Sequence, residues 1–273
     1  MIKKTLQLIK NNPVIVLYYG VYLVISILLL FFLYPKNFGV DAYAKNGGFD
    51  YSLYMVTMRN MLIALLLTFV LGLFFVSGYG GMLREAIFSG KTKYRFFVNG
   101  IKNYFGRVLL SVLLTAAILL LGSVLIGLLS IPFTLMGAVN GTGSIYLISL
   151  AIMLITLLLV LIPSPFFVLW IPALFLEDTG VIRSMKLGMK AGAKNYGKLL
   201  LATFLLILPQ SVYSVLNFTV IQSGSLFTLE YFILVGVMAV FSMFYNIYVF
   251  IVYHEYRIGF ITIQRQQSTD INP

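Results

Sequence analysis

Six long apolar stretches, with nearly every lysine and arginine gathered in alternate segments between them, constrain this chain more than any other feature. Each can form the run of about 20 helical residues that crosses a hydrocarbon layer roughly 30 Å thick. Lipid offers the backbone no hydrogen bonds, so apolar spans of this kind must satisfy their own as helices. The stretches cover about Val14 to Tyr34, Met61 to Tyr79, Val108 to Met136, Ile145 to Phe175, Leu199 to Ile221 and Tyr231 to Tyr253. They predict an all-α, polytopic integral membrane protein, with 1–273 forming a single six-span domain.

Composition agrees. Of 273 residues, 60% are hydrophobic and 10% charged, against about 45–50% and 25% in soluble domains, which excludes a soluble fold. The absence of cysteine removes disulfides, thiolate metal sites and cysteine nucleophiles together. The opening MIKKTLQLIKNNP leads into an apolar run longer than a signal-peptide core and without a small-residue exit, so a retained first span is predicted.

The net charge of +11 could suggest nucleic acid, but that reading needs an exposed basic domain with groove-entering or base-stacking elements. Here the basic residues flank spans. Lys3, Lys4 and Lys10 precede the first; Arg84, Lys91, Lys93, Arg95, Lys102 and Arg107 lie between the second and third. Arg183, Lys186, Lys190, Lys194 and Lys198 separate the fourth from the fifth, and Arg257 and Arg265 follow the sixth. The other side holds only Lys36, Lys45 and Arg59. Because Lys and Arg are retained in cytoplasmic loops, a cell-membrane protein with both termini cytoplasmic is predicted.

Spans three and four exceed a straight crossing at 1.5 Å per residue, so tilt or breaks must absorb the excess. Gly127, Ser130 and Pro132 in the third and Pro163, Pro165 and Pro172 in the fourth predict kinks. Such broken helices can mark transport sites, although many only serve packing.

The two long cytoplasmic connections, about 81–107 and 177–198, resemble each other: GIKNYFGR from Gly100 and AGAKNYGK from Ala191 both place Lys-Asn-Tyr before a basic residue and a new span. This suggests a parallel internal repeat about an axis normal to the membrane. Each connection has helical periodicity and is predicted to form an amphipathic elbow. In the first, Tyr94, Phe97, Ile101, Tyr104 and Phe105 share a stripe. In the second, Arg183, Lys186, Lys190 and Lys194 form a basic stripe beside Met185, Met189, Ala193 and Tyr196, with Asp178 or Thr179 as the N-cap. Gly188 and Gly192 would allow another helix close approach. The residues predicted to contact anionic headgroups or a partner are Lys91, Lys93, Arg95, Lys102, Arg183, Lys186, Lys190 and Lys194.

The segment IPALFLEDTGVIRSMKLGMKAGAKNYGKLL, Ile171 to Leu200, resembles a pattern of six-span bacterial proteins grouped with the membrane domain of glycerophosphoryl diester phosphodiesterases. Glu177, Asp178, Gly180, Ser184, Lys194 and Asn195 occupy the matching places. The resemblance implies a six-span fold. It does not imply the phosphodiesterase activity, because the catalytic barrel has no counterpart in this sequence.

Candidate chemistry is sparse. His254, the single histidine, stands in HEYRIG and lacks the second histidine of a zinc-binding HExxH. Glu177 and Asp178 are adjacent acids at a membrane edge, better read as capping than as an acid–base pair. Neither a G-x-S-x-G elbow nor a phosphate-binding P-loop occurs. No enzyme, cofactor or metal is predicted. Asn140-Gly141-Thr142 fits a glycosylation sequon but reads as a turn.

Span five is the most polar: Gln210, Ser214 and Asn217 share a face that Asn246 in span six could meet, as packing glue or as a small polar cavity. No ionisable residue falls at the centre of a span, which weighs against ion-coupled transport. Three functional readings result. The first is a non-enzymatic accessory or scaffold working with another membrane protein, a transport-ATPase subunit or an export system. The second is a small permease or self-protection protein handling an apolar or peptide molecule. The third is an intramembrane lipid-modifying enzyme.

Overall fold

The computed structural model describes residues 1–33, 44–45, 48–49, 51–140, 161–216 and 229–271. The chain opens with a short helix, α1 (Ile2–Asn11), and turns at Asn12 into α2 (Pro13–Leu33). Asn12 takes φ −135° and ψ 65°, outside the helical region that a following proline disfavours. Pro13 then starts α2 where its missing N–H is not needed. The two helices meet at 88°.

Two-residue strands β1 (Ala44–Lys45) and β2 (Gly48–Phe49) pair antiparallel, Ala44 opposite Phe49. The long helices α3 (Tyr51–Ser89) and α4 (Tyr94–Asn140) follow, then the short α5 (Ser164–Phe167) and α6 (Trp170–Glu177). The chain continues through α7 (Val181–Lys194), α8 (Tyr196–Leu216) and α9 (Leu229–Ile271). Among the described residues, Tyr51–Ser89, Tyr94–Val124 and Val235–Gly259 are each long and apolar enough to cross a bilayer, and α1 with α2 counts as a fourth if the bent pair is one span.

The apolar stretches mark only the hydrocarbon-deep parts of these helices. With 39, 47 and 43 residues, α3, α4 and α9 measure roughly 60–70 Å, about twice the hydrocarbon thickness. Tyr51–Asn60, which precedes the second apolar stretch, is the opening of α3, and α9 runs past Tyr253 to Ile271. A polar turn added to an existing helix costs no new nucleation. Side chains such as Leu62, Leu65, Leu120 and Leu121 are 63–70% exposed, which suits lipid and not water.

The described residues gather into two compact units, Met1–Phe105 with Phe204–Pro273, and Gly106–Thr203. In the first, α2 and α3 join through a cluster of rings: Tyr22 stacks on Phe75 at 4.1 Å, Phe75 on Tyr79 at 4.9 Å, and Tyr19 meets Phe75 edge-on at 5.5 Å. Such pairs add about 0.5–1.5 kcal/mol beyond the area they bury. Ile15, Met82, Leu83, Ile247 and Val252 complete this core. In the second unit Leu169, Trp170 and Ala173–Leu176 form the core with Leu199 and Val108.

Proline acts differently in the two predicted kinks. Pro163 is the N-cap of α5 and Pro165 lies in its first turn; Pro172 lies in the first turn of α6. All three occupy places without an intrahelical donor to lose, and the segment is broken into two short helices. In α4 the helix continues unbroken through Gly127, Ser130 and Pro132 to Asn140, which is compatible with a kink inside one helix.

Candidate functional site

The two basic connections have different structures. The first is a helical hairpin and not a separate amphipathic helix: residues 81–89 finish α3, Gly90 to Lys93 make the turn, and 94–107 begin α4. Its aromatic stripe packs on protein. Phe97 lies against Tyr18, ring centroids 4.6 Å apart, and against Gly78, where an added Cβ would meet the ring at 2.6 Å. Phe105 meets Phe74 at 4.8 Å and Tyr104 is buried, while Tyr94 alone of the stripe is strongly exposed. The hairpin closes through glycine. A Cβ on Gly81 would stand 2.6 Å from Gly100 Cα, and one on Gly100 would stand 2.6 Å from Ser77 O. Lys91, Lys93, Arg95 and Lys102 all remain exposed on this hairpin.

The second connection contains a discrete helix, α7, with three faces. Val181, Ser184, Gly188, Ala191 and Gly192 are buried. A Cβ on Gly188 would meet Trp170 Cδ1 at 2.8 Å and Leu169 O at 2.9 Å, and one on Gly192 would overlap Pro165 O. Small residues thus seat α7 directly on the backbone of α5 and α6. Arg183, Lys186, Lys190 and Lys194 line the exposed side. Ile182 and Met189, 59% and 43% exposed, form an apolar margin beside them. Met189 and Ala193 therefore belong to an open margin; the packed face is the small-residue one, which hydrophobicity alone underweights because glycine contributes no apolar side chain.

The cap differs from the predicted one as well. Asp178 ends α6 in the left-handed region at φ 51° and ψ 39°, and Gly180 is the N-cap of α7 without a side-chain cap bond. Aspartate is among the few residues that enter this region readily. Its carboxylate accepts a hydrogen bond from Arg107 Nη1 at 2.7 Å. This exposed ion pair orients the α6–α7 turn and contributes little stability.

Lys-Asn-Tyr also has two local structures. Residues 102–104 continue through α4, whereas Lys194 ends α7, Asn195 caps it and Tyr196 begins α8. Asn195 Nδ2 donates to Ala191 O at 3.1 Å, and Tyr196 Oη donates to Ile162 O at 3.0 Å. What the two copies share is the glycine two residues earlier, Gly100 or Gly192, pressed against the preceding helix in its own unit.

Of the predicted polar face, Asn246 is half-buried on α9. Gln210 and Ser214 belong to α8 with side chains outside the described residues, and Asn217 lies outside them. His254 meets Phe88 edge-on at 5.7 Å. Among the described residues, no cluster of three or more His, Asp or Glu is arranged to hold a metal.

Sequence reasoning missed Asn12. Its Nδ2 donates to Leu8 O at 3.0 Å and to Gly90 O at 3.2 Å, and its Oδ1 accepts from Thr92 N at 2.7 Å. One buried amide thus ties the α1–α2 bend to the α3–α4 turn. The Asn-Pro break signal was visible, but its partner lies 80 residues away.

The described residues form a helical protein whose three long apolar helices, or four spans with the bent α1–α2 pair, suggest a multi-pass membrane protein, with cationic helical connections. No protein family, no curated protein and no solved structure matches this chain.

Proposed function

We propose that this chain is a non-enzymatic six-span protein of the cell membrane, both termini cytoplasmic, that serves as an accessory to another membrane protein or export system. The observation that carries the reading is α7. A helix locked on its glycine face against α5 and α6 presents Arg183, Lys186, Lys190 and Lys194 as a fixed cationic surface. A helix already held in place loses less backbone entropy on binding. Such a stripe complements an acidic partner surface, for example on a transport-ATPase subunit, and speeds encounter with it. The resemblance of Ile171–Leu200 to the phosphodiesterase-associated membrane domain supports the same reading: a six-span fold without the catalytic barrel.

A photo-crosslinking residue at Lys186 or Lys190, in cells, is expected to trap one discrete protein adduct. Reversing Arg183 and Lys194 to Glu should remove that adduct while the protein still accumulates. An unchanged adduct, or none, would defeat the proposal; loss of one lipid product on deletion would replace it with an intramembrane enzyme.

Orientation rests on the partition of Lys and Arg and is tested separately. The chain has no cysteine, so single introductions can be labelled without removing any. Cysteines at Ser52 or Ser144 should react with an impermeant thiol reagent in intact cells, and those at Ser89 or Ser268 should not. The opposite pattern would invert the topology, and mixed accessibility within a pair would change the number of spans.

A further inference from the structure

The bridge at Asn12 assembles a group of lysines that sequence leaves scattered. Lys10 lies two residues before Asn12, on the last turn of α1. Lys91 lies between the two residues that Asn12 holds, Gly90 and Thr92, and Lys93 follows directly. All three lysines are exposed. Gly90 has φ +77°, a conformation suited to glycine that turns α3 sharply enough to bring these residues back to the junction. Ser89 Oγ, donating to Glu85 O and lying 2.7 Å from Lys91 O, braces the same turn.

The position of α1 indicates what these charges meet. It stands at 88° to α2, so with α2 crossing the bilayer α1 lies along its surface. Thr5 is buried and Lys4 Nζ pairs with Glu255 Oε1 at 2.7 Å, which fixes α1 on α9. Ile2 and Leu6, one turn apart, are 63% and 56% exposed. Surface helices of this kind place apolar side chains at the acyl boundary and lysines among the headgroups.

We propose that Lys10, Lys91 and Lys93, gathered by the Asn12 bridge, form a headgroup site for the phosphate of an anionic phospholipid, whose acyl region receives Ile2 and Leu6. Charge complementarity selects an anion, and the adjoining exposed apolar side chains select a lipid over a soluble phosphate. The site is separate from α7 and stands whether or not α7 has a protein partner.

The test uses the full chain with an environment-sensitive fluorophore on a cysteine at Leu6, in phosphatidylcholine nanodiscs with increasing phosphatidylglycerol. Emission should shift to the blue as phosphatidylglycerol rises. Each of Lys10→Gln, Lys91→Gln and Lys93→Gln should raise the midpoint by about fivefold, since one lysine near an anionic surface contributes about 1 kcal/mol. Lys198→Gln, an exposed lysine on α8, should leave it unchanged, and inorganic phosphate should not compete. The proposal fails if phosphatidylcholine alone gives the full shift, if the label stays water-exposed throughout, if Lys198→Gln acts as strongly, or if inorganic phosphate displaces the response. A second label at Ile2 guards against a local effect of the first.

Discussion

Gly192→Ala is expected to destabilise the second unit by about 3 kcal/mol, the upper part of the range for overpacking. The new methyl would overlap Pro165 O, and the displaced atom is backbone, which cannot rotate away as a side chain can. Gly100→Ala should act in the same direction on the first unit, its Cβ 2.6 Å from Ser77 O. Gly106→Ala is the control. Nothing lies within 4 Å of its Cβ, so the gain in helix propensity, up to about 1 kcal/mol, should appear undiminished. Thermal unfolding in detergent should therefore separate the three by sign: two lowered midpoints and one unchanged or raised. A Gly192→Ala protein as stable as the parent would mean that α7 does not seat on α5 and α6.

Asn12→Ala is expected to cost about 2–4 kcal/mol. It removes the partners of Gly90 O and Thr92 N, the latter within a buried bond, and each buried group left unsatisfied costs about 1–3 kcal/mol. Asn11→Ala, at an exposed neighbour, should change little. Asn12→Asp should fall between them, because it keeps the acceptor for Thr92 N and loses the donor to Gly90 O. Equal stability of all three would remove the bridge from the account. A stable Asn12→Ala protein with unchanged lipid preference would separate the lysine site from the junction.

How far the sequence could be read depended on whether a signal was local. Pro163 and Pro165 mark the start of α5 and Pro172 that of α6, because proline's effect on its own backbone needs no partner. Pro132 does not end its helix. The stripe of Arg183, Lys186, Lys190 and Lys194 was legible because 3.6-residue periodicity is local, and all four are exposed. The similar stripe from Tyr94 to Phe105 was misassigned to an interfacial helix. Aromatic periodicity is the same whether the stripe faces headgroups or protein, and only the glycines of α3 show that it faces protein.

The sequence by itself determined the solvent and the secondary structure. Long apolar runs demand lipid, and lipid demands helices, since every backbone group must find its partner within the chain. The tertiary structure decided which surfaces remained available. The spacing of Gly188 and Gly192 announces a close helix approach, but which backbone they meet, like the contacts of Gly81 and Gly100, depends on the helices brought against them. Asn12 and Thr92 are 80 residues apart, and Lys10, Lys91 and Lys93 become neighbours only through that one amide. Hydrophobicity acts residue by residue and can be read in order along the chain, whereas close approach and hydrogen bonding are pairwise and exist only once the helices have packed.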